Sequence, residues 1–323
     1  MLVQLDWIKE KMHETLAEFS PEQSNVVIEA LLWAEMTGKH TQGVIKLAGT
    51  EPIQDVKPKG EMEVRVKKCA AHIAGNGNSS PISTSLGMKK AIELAREHGV
   101  GIAGINGIYS SNTTQSYYLY QIAKADMVGF MCSRSAAAQT GFGSIDPLFG
   151  TNPLGIAVPT EEDPLFFDFA TSAMTWYGLV LAQIRGEALP DYIAIDKNGN
   201  FTPDPNEAMK GALLPYANDH RSSSMALMVE LLAGPLVGAS YINTALDDDW
   251  GAFIFVIDPE IMCGKEQFKK AASEVLRRIK ASRPKFGEKV RLPSDISLRR
   301  YKEALQTGYV DIDEKVLKYL KYL

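Results

Sequence analysis

The stretch GKHTQGVIKL, residues 38–47, holds side chains that could move a proton or bind an anion. His40 is one of only five histidines in the chain, and an imidazole is the side chain best suited to proton transfer near neutral pH. Gln42 lies two residues later and carries an amide, which forms hydrogen bonds but does not titrate there. The stretch therefore raises one question: whether His40 is a proton donor, or whether Gln42 has replaced one.

A second polar segment, NDHRSSS, contains the dipeptide His220-Arg221 directly ahead of an apolar helix. Side chains and free backbone N–H groups at such a position suit an anion. A helix-capping loop explains the same residues equally well. The acids Asp247-Asp248-Asp249 favour a solvated loop, because carboxylates without a second ligand cluster make a poor metal site, and we expect no metal.

Gly99, Gly101 and Gly104 have the G-x-G-x-x-G spacing of a dinucleotide-binding loop. That loop requires a strand first, then the glycines, then a helix whose N-terminus faces the pyrophosphate. Here the order is reversed, because a helix predicted over about 81–98 ends at Gly99 and the strand VGIAGI follows. The spacing therefore does not predict a Rossmann site.

The composition is that of a globular protein, with 45% hydrophobic and 23% charged residues among 323. A net charge of -5 argues against a nucleic-acid partner. The three cysteines are scattered, the N-terminal segment is amphipathic and carries acids, and no apolar run approaches the roughly 20 residues of a membrane span. We therefore expect a cytoplasmic protein with neither a membrane nor a nucleic-acid partner.

Helices and strands are predicted to alternate along the whole chain, which indicates an α/β or α+β class. The helix SPEQSNVVIEALLWAEMTG has a capping box at Ser20 and a stop at Gly38. In FFDFATS, Asp168 ends a predicted strand and small hydroxyl residues follow it, which allows close approach of a ligand. These patterns predict a small-molecule site.

Four segments in fixed order resemble the type-2 malate/L-lactate dehydrogenase family, which includes ureidoglycolate and sulfolactate dehydrogenases and piperideine-2-carboxylate reductase. They are GTNPLGIAVP (150–159), DFATS (168–172), MVELLAGPLVGAS (228–240) and LPSDIS (292–297). The resemblance runs almost end to end. It implies a non-Rossmann NAD(P)-binding α/β fold with a largely antiparallel sheet, and usually a homodimer. It also implies a substrate and dimerisation part, 1–120 with 297–323, and a cofactor-binding part, 121–296.

The chemistry that the resemblance implies is hydride transfer between NADPH or NADH and a small 2-oxo or 2-imino acid. Relatives carry Ser-His-Gly-Val-x-Arg after the first long helix, and here Thr41, Gln42 and Lys46 match its serine, histidine and arginine. Ser111 matches a second histidine of relatives. His40 lies two residues early and would share the face of Gln42 only if the segment were extended.

The resemblance also implies a set of cofactor-binding positions. Arg221 replaces a lysine of relatives and suits either a 2′-phosphate or the pyrophosphate, and Ser294 replaces the glycine of a Pro-Gly-Glu turn. The full set is Ser135, Ala170, Thr171, Ser172, Ala173, Met174, Thr175, Trp176, His220, Arg221, Ser294, Asp295 and Ile296.

Three hypotheses fit these replacements. The first is an NAD(P)H-dependent reductase of a 2-imino acid, since an iminium already carries its proton and needs less acid help. The second is a conventional 2-hydroxy-acid dehydrogenase in which His40 or a tyrosine donates the proton. The third is a cofactor-binding protein that has lost catalysis. A cation retained at Lys46 argues against the third.

Overall fold

A computed structural model describes residues 1–49, 51–242 and 249–322. Its helices are α1 Leu5–Thr15, α2 Pro21–Met36, α3 Ser80–His98, α4 Gln115–Lys124, α5 Trp176–Arg185, α6 Pro205–Lys210, α7 His220–Ala233, α8 Lys265–Lys280, α9 Asp295–Thr307 and α10 Glu314–Tyr319. Its strands are β1 Leu2–Gln4, β2 Glu63–Lys67, β3 Ala70–Ser79, β4 Val100–Tyr109, β5 Val128–Arg134, β6 Gln139–Thr140, β7 Pro147–Phe149, β8 Leu154–Val158, β9 Leu165–Phe169, β10 Ala194–Ile195, β11 Ala212–Leu213, β12 Trp250–Ile257 and β13 Tyr309–Asp311.

The central sheet has seven strands in the order β2-β3-β4-β12-β5-β8-β9. Every neighbouring pair in it is antiparallel except β3 with β4. The predicted α/β fold with a largely antiparallel sheet is therefore confirmed. The sheet takes strands from both 1–120 and 121–296, so the proposed division into two parts stays a prediction about function.

The three glycines with dinucleotide-loop spacing serve to pack a helix on the sheet. Gly99, at φ +79°, ends α3 in the left-handed conformation, and the other two lie inside β4. A Cβ atom on Gly101 would lie 1.8 Å from the carbonyl oxygen of Ala91. The glycine is therefore needed for close contact between α3 and β4.

An aromatic cluster holds α2 against the rest of the core. The ring centroid of Trp33 lies 4.4 Å from that of Tyr120, 4.6 Å from Tyr301 and 5.8 Å from Phe166. The indole N–H donates to the Oγ atom of Ser116 at 3.2 Å. These contacts fix the C-terminal end of α2, and with it the segment 38–47, beside α4 and β9.

A buried polar network holds α7 on the sheet. Glu230 of α7 forms an ion pair with Arg134 of β5, with 3.3 Å between Nε and Oε1. The Nδ2 atom of Asn152, in GTNPLG, donates to Glu230 and to the carbonyl of Ala226, each at 3.0 Å. Two of the family-like segments therefore contact each other, and this contact explains their residue types.

The apolar sequence of α7 is typical of a buried helix, but one face of α7 is exposed. Leu227, Met228 and Leu231 have 43%, 52% and 45% of their surface exposed. The opposite face, with Ala226 and Val229, packs on the sheet. The apolar residues of α7 therefore form two faces, one packed in the core and one exposed.

Asp249 has a structural role in the fold. Its carboxylate accepts from the backbone N–H of Gly107 and from the N–H and hydroxyl of Ser240, each at 2.8 Å. Asp247 and Asp248 lie outside the described residues. Within the described ranges, no group of three His, Cys, Asp or Glu side chains could hold a metal ion. The same ranges contain no helix whose length and apolarity would let it span a membrane.

Candidate active site

The candidate site is a cavity of about 310 Å³ between the segment 38–47, the residues before α4, and the ends of β5 and β9. That volume is at the lower end of the range found for small-molecule sites. The lining residues are Lys39, Thr41, Gln42, Lys46, Glu51, Ser111, Asn112, Thr113, Thr114, Gln115, Ser133, Arg134, Ser135, Ala136, Ala137, Ala138, Thr151, Pro153, Asp168, Phe169, Ala170, Thr175, Trp176, Tyr177 and Trp250.

The segment 38–47 folds into two short 3₁₀ turns, His40–Gln42 and Val44–Leu47. Gly38, at φ +80°, stops α2 and redirects the chain, and a Cβ atom there would collide with Arg300. The segment is therefore not extended. The premise that His40 and Gln42 share a strand face is wrong, because a turn points neighbouring side chains in different directions.

His40 is held by a carboxylate outside the cavity. Its Nδ1 atom lies 2.7 Å from Oε2 of the buried Glu35, whose Oε1 accepts from the backbone N–H of Val44 at 2.7 Å. The hydrogen bond to Glu35 raises the pKa of His40. Among the described residues that line the cavity, His40 is absent while Thr41, Gln42 and Lys46 are present.

Lys46 is buried, with 3% of its surface exposed. Its Nζ atom lies 3.4 Å from the centroid of the Tyr177 ring, and the Tyr177 hydroxyl donates to the carbonyl of Glu51 at 3.1 Å. Burial lowers the pKa of Lys46 well below the ordinary lysine value. A bound carboxylate would favour its charged form.

Lys39 forms an ion pair with Asp168 inside the cavity. Its Nζ atom also lies 3.2 Å from the hydroxyls of Thr114 and Ser116. The lysine side chain is 28% exposed and the carboxylate 9%. The sequence does not indicate the pairing of Lys39 with Asp168, because the two are 129 positions apart.

Asp168 is fixed by the first turn of α4. Its Oδ2 atom accepts from the Thr114 hydroxyl at 2.8 Å and from the backbone N–H of Ser116 at 3.2 Å. A carboxylate at a helix N-terminus satisfies a free backbone donor and is favoured by the helix dipole. The arrangement therefore holds one oxygen of Asp168 at the helix N-terminus and leaves the second directed at Lys39.

Comparison with known proteins identifies the protein's relatives. The sequence profile described as malate/L-lactate dehydrogenase matches residues 3–321. The chain belongs to this family. It is 31% identical to the malate/(S)-sulfolactate dehydrogenase of Methanothermus fervidus over 315 residues, which is 94% of this chain and 90% of the relative.

Another sequence relative and one solved structure extend this malate/L-lactate dehydrogenase assignment. The Δ¹-pyrroline-2-carboxylate/Δ¹-piperideine-2-carboxylate reductase of Pseudomonas syringae pv. tomato is 29% identical over 88% of this chain and 84% of its own. The malate dehydrogenase structure from Pyrococcus horikoshii OT3 superposes with a TM-score of 0.86 at 25% identity, over 100% of this chain and 94% of that one. The protein is thus an oxidoreductase of the malate/lactate dehydrogenase type, a family of NAD(P)-dependent enzymes.

The structure brings part of the predicted cofactor set to the cavity. Ser135, Ala170, Thr175 and Trp176 line it. Thr171 is fully buried and its hydroxyl donates to the backbone carbonyls of 151 and 152, so it holds the two strand ends together. The lining does not include the described residues 172–174.

The remaining predicted cofactor residues, at 220–221 and 294–296, lie outside this cavity. His220 and Arg221 are exposed at the first turn of α7. Ser294 and Asp295 line a second cleft beside α8 and α9, where Lys280 pairs with Asp295 at 2.8 Å. Of the described residues around the first cavity, none comes from 294–296, and Ile296 is half-buried at the start of α9.

The cavity has features that fit a nicotinamide cofactor. Ser135 and the alanines 136–138 make a wall of small side chains that lets a flat ring approach the backbone. The side-chain oxygen of Gln115 is buried, and within the described structure it has no hydrogen-bond partner. An amide oxygen accepts hydrogen bonds, so it suits the carboxamide N–H group of a nicotinamide. We expect Gln115, Ser135 and Ala170 to hold that end of the cofactor.

Proposed function

We propose that the protein is an NAD(P)H-dependent reductase of a small 2-imino acid, a cyclic imine, or of a 2-oxo acid. The supporting observation is that one cavity is lined both by two lysines, the half-buried Lys39 and the buried Lys46, and by the small-residue wall of 135–138. A cation suits a substrate carboxylate, and the wall suits a flat cofactor ring. The reduced cofactor would supply a hydride to the substrate carbon.

Lys46 is the residue that we assign to the substrate carboxylate. It occupies the position of a family arginine, and its amine is buried beside Tyr177 at the cavity wall. Gln42 lines the same wall and is assigned to orienting the substrate through hydrogen bonds, because its amide does not titrate. Thr41 and Ser111 line the wall as well and are assigned to hydrogen bonds with substrate.

The preference for an imine is supported by Gln42 at the histidine position and by a relative that is named as a cyclic imino-acid reductase. The alternative is a 2-oxo acid, as the names of the sulfolactate and malate dehydrogenases indicate. The two differ in how much acid help the reaction needs, because a carbonyl oxygen must receive a proton that an iminium nitrogen already carries.

Two measurements test the proposal. A fluorescence titration gives the affinity for NADH and NADPH, and oxidation of the reduced cofactor is then followed in the presence of substrate. One panel contains pyruvate and oxaloacetate, and the other contains piperideine-2-carboxylate and pyrroline-2-carboxylate. We expect binding of at least one cofactor and faster turnover on the imines. Faster turnover on the oxo acids would support the alternative, and absence of binding for both cofactors would overturn the reductase assignment.

We also propose a homodimer, as the family resemblance implies, and a cytoplasmic location, which the scattered cysteines and the amphipathic N-terminal segment favour. The exposed apolar residues of α7, Leu227, Met228 and Leu231, support a surface that another copy covers. Light scattering would give the mass in solution. A monomer at micromolar concentration would contradict the proposal.

A further inference from the structure

We propose that Lys39 is the proton donor of the reduction and that Asp168 positions it. This inference rests on the proposed function. Its basis is the geometry of the cavity, in which the Lys39 amine faces the space between Asp168 and the hydroxyls of Thr114 and Ser116. The lysine–aspartate pair therefore brings a titrating group to the cavity, which the amide of Gln42 does not do.

The other titratable groups near the cavity are less suited to this role. His40 is turned toward Glu35. Burial raises the pKa of Tyr117 and of Tyr177 above the ordinary tyrosine value, so neither phenol gives up its proton readily near neutral pH. Lys46 lies over an aromatic ring, burial lowers its pKa, and its assigned role is to hold the substrate carboxylate.

Lys39 has the properties of a general acid that works near neutral pH. Burial lowers the pKa of Lys39 to about 7, and the carboxylate of Asp168 opposes any further fall. A general acid is most effective when its pKa lies near the working pH. The 28% exposure of the side chain also leaves a route by which solvent can return the proton.

The step balances as follows. Reduction of a C=O bond, or of a C=N bond whose nitrogen is not already protonated, takes a hydride, which the reduced nicotinamide supplies, and one proton. As the new C–H bond forms at carbon, the electron pair of the double bond moves to the oxygen or nitrogen. Lys39 gives that atom a proton, its N–H electron pair stays on Nζ as a neutral amine, and water then reprotonates the amine beside Asp168.

Lys39→Met is the first test, because methionine keeps the length of the side chain and removes the amine. Lys197→Met, in an exposed turn outside the cavity, is the matched control, and His40→Gln tests the competing donor. We expect Lys39→Met to bind NADH or NADPH as the wild type does and to lose roughly a hundredfold in kcat. The assignment would be overturned if Lys39→Met turned over as fast as Lys197→Met. It would also be overturned if His40→Gln lost kcat by that factor while Lys39→Met did not.

Chemical rescue separates a proton-transfer role from a structural one. Lys39→Ala leaves space beside Asp168, and added methylamine or ethylamine should restore part of kcat, with a pH profile that follows the pKa of the added amine. The control Lys197→Ala should not respond. Loss of kcat in Lys39→Ala with no rescue by any amine, while the wild type turns over, would count against proton donation.

A readout independent of turnover is the acylation rate of Lys39 with trace acetic anhydride, followed by mass spectrometry as a function of pH. We expect its half-maximal reactivity near pH 7, well below the ordinary lysine value of about 10.4. Half-maximal reactivity of Lys39 near that ordinary value would contradict its assignment as the acid. Wild-type protein that binds neither cofactor would overturn the reductase function itself, which is a different failure from an active Lys39→Met variant.

Discussion

Two ion pairs join the sheet to its surroundings, and they differ in what surrounds them. Arg134 and Glu230, the sealed pair, are buried between β5 and α7 with 7% and 2% of their side chains exposed, and only Arg134 of the two reaches the cavity wall. Lys39 and Asp168 join the end of α2 to β9, with 28% and 9% exposed, and both line the cavity. The first pair is positioned to hold the scaffold, and the second is positioned to meet a ligand.

The residue types agree with this difference. Arginine stays charged at every accessible pH and presents a rigid fork, which suits a permanent buried pair. Lysine shifts its pKa readily when buried, which suits a group that must gain and lose a proton. Glu230 lies in one of the segments that resemble the family, 228–240, whereas Lys39 lies in the segment where the family pattern has changed.

The largest effect is expected from breaking the sealed pair. Glu230→Ala leaves Arg134 buried without its carboxylate and removes the acceptor of Asn152. Loss of one partner of a buried pair costs about 3–5 kcal/mol, so the free energy of unfolding measured in urea should fall by that amount. A control replaces both partners, Arg134→Met with Glu230→Met, which should cost less than Glu230→Ala alone. A loss below about 1 kcal/mol in Glu230→Ala would show that the two pairs do not differ as described.

The open pair should respond in activity more than in stability. Asp168→Asn keeps an acceptor for Thr114 and Ser116 but removes the negative charge beside Lys39. Without that charge the pKa of Lys39 falls further, so the decline of kcat with rising pH should begin at lower pH than in the wild type. Near neutral pH we expect roughly a tenfold to hundredfold lower kcat, measured in a pH–rate profile. An unchanged profile would show that Asp168 does not act on the donor.

The sequence predicted the fold better than the site, and particular residues show why. Gly38 and Gly99 stop helices through local backbone chemistry, and the reversed order around Gly101 was readable because strand and helix signals are local. Lys39 and Asp168 are 129 positions apart, and only the packing of α2 against β9 brings them together. Thr171, a predicted cofactor residue, donates to the carbonyl groups of 151 and 152, and nothing in its own neighbourhood indicated that contact.

Lys46 offers a further comparison with the two ion pairs, because it is buried and its amine lies over the Tyr177 ring. If it holds the substrate carboxylate, Lys46→Ala should raise KM for carboxylate substrates by about tenfold or more, the change that corresponds to about 1.4 kcal/mol. Cofactor affinity, measured by NADH and NADPH fluorescence, should stay nearly unchanged. An amide analogue of the substrate provides the control, because its KM should not depend on Lys46. Equal KM values for the carboxylate in variant and wild type would remove Lys46 from the site.

The smallest effect is expected on stability, and its sign is opposite to that of Glu230→Ala. Burial lowers the pKa of Lys46, so between that lowered value and the ordinary 10.5 the unfolded chain binds more protons than the folded one. Stability therefore rises with pH across this window. Lys46→Met removes the cost of burying the amine and should raise Tm near neutral pH by about 2–4 °C, the shift that about 1 kcal/mol produces. The gain should shrink as pH approaches 10.5, which calorimetry at two pH values would measure. A lower Tm in the variant near neutral pH would mean that the Lys46 amine stabilises the fold. Its contact with Tyr177 would then resemble the sealed pair rather than contrast with it.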